Sequence, residues 1–160
     1  MPIHRLSSDD LEKDYKLIAI HSDIEPYKLA FEINKKLKIQ LKRSSFDLSF
    51  KNKSSIFDLY KHISEVFNTK LYLILNKSTD KKKIEGQLLF ENFDEQSYLI
   101  PELRKAQYLL KIEGGGFDID NLLKKLNEID NVISSYRTEI SSIKSKYNLI
   151  FEWWNSTKPK

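Results

Sequence analysis

Two spacings of apolar residues take turns along this chain. In DYKLIAIHS, residues 14–22, apolar side chains crowd together between charged neighbours, which reads as a strand. In DIEPYKLAFEINKKL, Leu29, Ala30, Ile33 and Leu37 recur at i, i+1, i+4 and i+8, so a helix with one apolar face is predicted. Asp23 can cap it, and Pro26 suits its first turn, where a missing N–H costs nothing. Period two returns at Phe46, Leu48 and Phe50 and predicts a second strand from about Ile39, bent at the serines. Residues 56–76 fit both periods, since Ile56, Leu59, Tyr60, Ile63, Val66 and Phe67 also suit a helix. The wealth of strand formers in the second half favours two strands joined as a hairpin at Asn68 and Thr69.

The polar KSTDKKKIEG then reads as a loop and QLLFENF as a short strand. Pro101 forces Ile100 into extended backbone and cannot donate to a ladder, so SYLIP is expected to be a strand that ends or lies at an edge. ELRKA is a turn or a single helical turn, QYLLKI a strand, and GGG a reversal before FDIDNLLKKLNEI. There Asp118 caps a helix whose Ile119, Leu122, Leu123, Leu126 and Ile129 follow the 3.6-residue period. VISSYRTE is a last strand. Beyond it Ile140, Ile143 and Tyr147 have near-helical spacing, and NLIFEWW looks extended. Two helices separated by a run of strands with hairpin-length connections predict an α+β fold, a mostly antiparallel sheet with the two main helices packed on one face.

Composition narrows the function more than the fold. With 160 residues, 40% of them hydrophobic, the chain has the material for one core, and we read a single domain over 1–160, with 14–152 as its folded core and 153–160 as a C-terminal tail. The absence of cysteine excludes disulfides, thiol nucleophiles and thiolate metal sites. The first residues are charged throughout and do not form a signal peptide, and no apolar run is long enough to span a bilayer, so a cytoplasmic protein with no membrane partner is expected. The net charge is +4, but only four of the 27 basic residues are arginine: Arg5, Arg43, Arg104 and Arg137. Arginine supplies the planar forks of phosphate and base recognition, whereas scattered lysine is mostly solubilising charge. RNA binding through the lysines of 35–43 and 81–83 is therefore a secondary reading.

Catalytic patterns are weak. The order strand, GGG, helix is where phosphate-binding turns occur, but no Gly-x-Gly-x-x-Gly and no following Lys-Ser/Thr pair is present, and Glu113, Asp118 and Asp120 would repel an anion. The ordinary reading is a tight turn before an acidic helix start. His4, His21 and His62 lie on separate segments without metal-ligand spacing, so no metal and no cofactor is expected. No serine has a nucleophile-elbow context. Glu102, Asp23 and Glu25 are carboxylates that nothing pairs as acid and base, and Glu102 reads as an acceptor for backbone N–H groups just after Pro101. Trp153 and Trp154 near the C-terminus would face opposite sides of an extended strand, as a clamp over the core or as a partner contact.

The stretch IPELRKAQY, Ile100 to Tyr108, resembles the motif of the IPExxxVDY family, a group of bacterial proteins of the Bacteroidota type. DYKLIAIHS, LYLILNKS, YLLKIEG and KSKYNLIFE are similar to that family's blocks in order and character, so the resemblance covers most of the chain. It departs where the family name has Val-Asp: Ala106 and Gln107 stand there, with Tyr108 retained. Gln cannot ionise, which favours a structural or binding role for Ile100, Pro101, Glu102 and Tyr108 over catalysis. The resemblance implies no particular activity, substrate or cofactor. The expectation is a small non-catalytic module acting through protein contact, with no catalytic residues. An RNA-binding accessory is the alternative, and an enzyme using Glu102 the second alternative.

Overall fold

A computed structural model describes residues 15–45, 47–49, 55–80 and 97–150. Its elements are β1 (Tyr15–Ser22), α1 (Pro26–Leu37), β2 (Lys42–Arg43), β3 (Leu48–Ser49), β4 (Ser55–Phe57), β5 (Leu59–Ser64), β6 (Thr69–Leu75), β7 (Thr79–Asp80), β8 (Tyr108–Glu113), α2 (Ile119–Asn127) and β9 (Val132–Arg137). Six strands form one antiparallel sheet in the order β2-β5-β6-β8-β1-β9, and β3-β4-β7 form a second, smaller one. The fold is α+β, with α1 and α2 on one face of the large sheet, as the two periods predicted. No helix among the described residues is long and apolar enough to cross a membrane.

Why β1 and β8 read as nearly unbroken apolar runs is clear from the layers: the sheet is buried on both faces. On the helix face Ile18, Ile20, Leu71, Leu73, Leu110 and Ile112 pack against Leu29, Ile33, Leu122 and Leu126. On the opposite face Leu17, Ala19, Ile74 and Leu109 pack against Leu99, Ile100, Ala106, Ile143 and Leu149, which come from irregular segments and short turns. Each leucine or isoleucine removed wholly from water in these layers stabilises the fold by roughly 2 kcal/mol.

α1 begins at Pro26, whose fixed φ suits the first helical position. Its N-cap is accordingly Glu25, with no side-chain cap bond, so Asp23 lies two residues too early to cap it. The helix stops at Lys38 in the left-handed region (φ 55), and the Asn34 side chain clamps the exit by accepting from Leu41 N–H (2.7 Å) and donating to its carbonyl (3.0 Å). Asp118 caps α2 as expected, accepting from Asp120 N–H at 3.1 Å.

Other expectations need correction. The predicted strand over 39–50 is two short strands in different sheets, because the bend at the serines is where the chain leaves the large sheet. The predicted hairpin exists, but its turn is the four residues Glu65–Asn68, with Asn68 at φ 47, and Thr69 already belongs to β6. SYLIP is not a strand. Only Tyr98 bridges Lys77, because the chain leaves extended pairing to wrap around the buried Asn76. Of the segment NLIFEWW expected to be extended, Asn148 and Leu149 instead close a 3-10 turn begun at Lys146, with Leu149 in the core, and residues 151–154 lie outside the described residues. Phe46, Phe50, the segment QLLFENF, His4, Trp153 and Trp154 lie outside the described residues.

Candidate interaction surface

The stretch Ile100–Tyr108 is a set of anchors. Ile100 and Ala106 are buried on the sheet face away from the helices, and Pro101–Leu103 make one 3-10 turn between them. Glu102 Oε1 accepts from both the backbone N–H (3.0 Å) and the hydroxyl (3.1 Å) of Ser145. Burial works against its charge, but its own N–H, those two bonds and the Lys144 N–H outweigh it and hold the carboxyl below its ordinary range. The expected backbone acceptor role is present, directed mainly at a distant segment. Gln107 Oε1 accepts from Ser22 N–H at 3.0 Å, where the β1–β9 register shifts. Tyr108 points to the helix face and donates to the Ile24 carbonyl, and burial pushes its phenol above the ordinary range. Ile100 and Tyr108 thus lie in different core layers, and the motif residues do not converge on a common ligand position.

Sequence reasoning missed the centre of this arrangement. Asn76 is wholly buried; its Nδ2 donates to the carbonyls of Ile100 (3.4 Å), Leu103 (3.0 Å) and Ala106 (3.2 Å), and its Oδ1 accepts from Ile100 N–H (2.9 Å). Its backbone also joins Gln107 and Leu99. A lone Asn ending the apolar run LYLIL was the available signal, because a polar residue there either leaves the core or holds something within it. Lys111 was also missed: buried in the middle of β8, it bonds Glu113 at 2.7 Å and lies over the rings of Tyr15 (4.8 Å) and Tyr72 (5.5 Å). Burial pushes the Tyr15 phenol up to about 12.

The glycines serve a close approach between two loops. Gly114 has φ +89, and a Cβ there would stand 2.1 Å from the Asn68 carbonyl oxygen; one on Gly116 would stand 2.3 Å from Thr69 Oγ1. Both are therefore used to seat the 114–116 loop against the β5–β6 turn. His21 and His62 are separated by β6 and β8, three strand spacings or roughly 14 Å, too far to share an ion. His21 stacks on Tyr136 with ring centroids 5.6 Å apart, and His62 Nδ1 accepts from Gln40 N–H at 3.2 Å.

The turn held by these glycines carries the two most exposed large apolar side chains among the described residues. Val66 is 88% exposed, Phe67 71% and Ile63, just before the turn, 50%. Ile63 shares the sheet face of Lys61, two residues away, and both pair with lysines, Ile63 with Lys70 and Lys61 with Lys42. Lys42, Lys61 and Lys70 are exposed and, among the described residues, have no ion-pair partner, whereas Lys28, Lys36, Arg43 and Lys111 each have one. Arg43 lies 2.5 Å from Asp47 and 3.2 Å from Asp58, so its fork is occupied. An open groove of about 420 Å³ runs past Lys42, Lys61, His62 and Ile63. The lysines of 35–43 do not gather on one surface: Lys36 pairs with Glu128 on the helix side, and Lys35 lies over Phe31.

No family model matches the chain, and no curated protein matches it.

Proposed function

We propose that the protein is a small cytoplasmic, non-catalytic module that acts through protein–protein contact, and that the tip of the β5–β6 hairpin is the contact. The observation that carries this reading is two large apolar side chains, Val66 and Phe67, presented to solvent on a turn seated against glycines at its base, with Ile63 exposed on the strand just before it. Contiguous exposed apolar side chains mark interaction sites, whereas single exposed ones need no explanation. Tyr27 and Phe31, exposed on α1, are each approached by the ammonium group of a neighbouring lysine, which makes them weaker candidates. We also propose membership of the IPExxxVDY family, on the motif at Ile100–Tyr108. Gln107 supports that placement, because its role needs only an acceptor, which the family's Asp supplies equally well.

An enzyme built on Glu102 has little support, since its carboxyl is tied to Ser145 and held below the range that suits a general base. The test is affinity capture from native cells, comparing the parent with a Val66→Ser/Phe67→Ser double variant of unchanged circular dichroism. A partner protein held by the parent and lost from the variant is the expected outcome. A partner held equally by both overturns the assignment of the hairpin.

A further inference from the structure

Resting on that reading of the hairpin, we infer the chemistry of the partner: an acidic protein segment, with two or three carboxylates arranged around one large apolar side chain. The argument starts from charges left uncompensated. Lys42 and Lys61 are directly opposed across β2 and β5, an arrangement of like charges that weakens a sheet. Lys70 stands beside Ile63 on the next strand, opposite Glu113, whose carboxylate is bonded to Lys111. A like-charge pair set directly opposite across a sheet breaks a local rule without local compensation, and such a place is where function is expected.

The spacing defines the complement. Neighbouring strands are about 4.8 Å apart, and Lys61 and Ile63, two residues apart on β5, are separated by about 6.8 Å. The three ammonium groups therefore fringe Ile63 within a patch that one short segment covers, with Val66 and Phe67 continuing its apolar side onto the turn. Carboxylates some 5 to 7 Å apart, flanking a leucine-sized or aromatic residue, match this surface in both charge and shape. A polyphosphate chain matches it less well. Of the apolar residues only Phe67 offers a ring for stacking, and the adjacent arginine fork is already taken by Asp47 and Asp58.

Zero-length carbodiimide coupling tests the inference, because it joins an amine only to a carboxylate already in contact with it. The full-length chain captures its partner from native cells, the complex is coupled, and linked peptides are sequenced. Amide links from Lys42, Lys61 or Lys70 to Asp or Glu of a protein that the Val66→Ser/Phe67→Ser variant fails to capture are expected. A Lys42→Gln/Lys61→Gln/Lys70→Gln triple variant should capture about tenfold less of that protein, with a weaker dependence on salt. Capture that needs Val66 and Phe67 but ignores the triple change and yields no such links overturns the acidic partner while leaving the hairpin assignment intact. Capture abolished by ribonuclease overturns it in favour of nucleic acid. Capture indifferent to the hairpin variant, or no capture at all, overturns both.

Discussion

Replacing Asn76 with alanine removes the side chain around which the 100–106 segment is folded. Four bonds are lost, of which two are short, Ile100 N–H to Oδ1 at 2.9 Å and Nδ2 to the Leu103 carbonyl at 3.0 Å. Each such bond has a net worth of about 1 kcal/mol, and a buried N–H left without an acceptor adds roughly 1–2 kcal/mol, so a loss of about 3 kcal/mol is expected. In a chain of this length that lowers the melting midpoint by roughly 6–12 °C. Asn76→Asp is the discriminating companion. It keeps the acceptor for Ile100 N–H but turns an oxygen toward three carbonyls, so the folded state resists ionisation and raises that carboxyl's pKa. Below the unfolded value of about 4 both states are protonated and no penalty applies, and the penalty grows as pH rises above it. Urea titrations at pH 4.5 and 7 should therefore show Asn76→Asp much the weaker at pH 7, with the loss in Asn76→Ala nearly the same at both. An alanine variant within 1 kcal/mol of the parent, or an aspartate variant indifferent to pH, would refute the role given to this residue.

Other substitutions probe the remaining contacts. Glu102→Ala should cost about 1 kcal/mol, discounted for the exposure of the side chain, and Glu102→Gln about half of that, since an amide oxygen still accepts from Ser145. Because its folded pKa is depressed, the contribution of Glu102 is present above the unfolded value and fades as pH falls through the folded one; parent and Glu102→Gln should converge in acid urea titrations, and a gap that widens in acid contradicts this. Among the glycines, Gly114→Ala should lose roughly 2–3 kcal/mol, Gly116→Ala about 1, and Gly115→Ala, with open space around it, almost nothing; thermal melts giving Gly115 the largest effect would contradict the loop contact. Fluorescence anisotropy with single-stranded oligo(U) should find weak binding that vanishes near physiological salt, with a log–log slope of about −2 for three free lysines; submicromolar affinity at that salt would promote the RNA reading.

How much of this was legible depends on where each residue's partner lies. α2 follows from its own residues, as periodicity and the Asp118 cap are local quantities, and β1 and β8 announced themselves because burial on both faces demands unbroken apolar runs. The turn at Glu65–Asn68 was misplaced by two residues, since Asn68 suits either a two-residue turn or the last position of a longer one. SYLIP looked like a strand because Pro101 does extend Ile100, but a single extended residue is also what enters a 3-10 turn. The acceptor role of Glu102 was readable from its chemistry, and its partner, 43 residues away, was not. Asn76 left one signal, a polar residue ending the apolar run LYLIL, but its partners and the opposition of Lys42 and Lys61 depend on the strand order β2-β5-β6-β8-β1-β9, which one-dimensional spacing does not contain.

The motif and the proposed contact are linked by the way the second face of the sheet is covered. Among the described residues, Leu99, Ile100, Ala106, Ile143 and Leu149 from irregular chain pack on that face beside Leu48 of β3 and Phe57 of β4. Asn76 fixes the first of these segments and Glu102 ties it to the second, so an amide and an acid supply the hydrogen bonds that a covering helix would have contained within itself. On the same face of β5, Lys61 and Ile63 follow Leu59 at two-residue intervals and are exposed. Held by Asn76 and Glu102, the 97–106 cover packs on the same face that carries these exposed residues of β5.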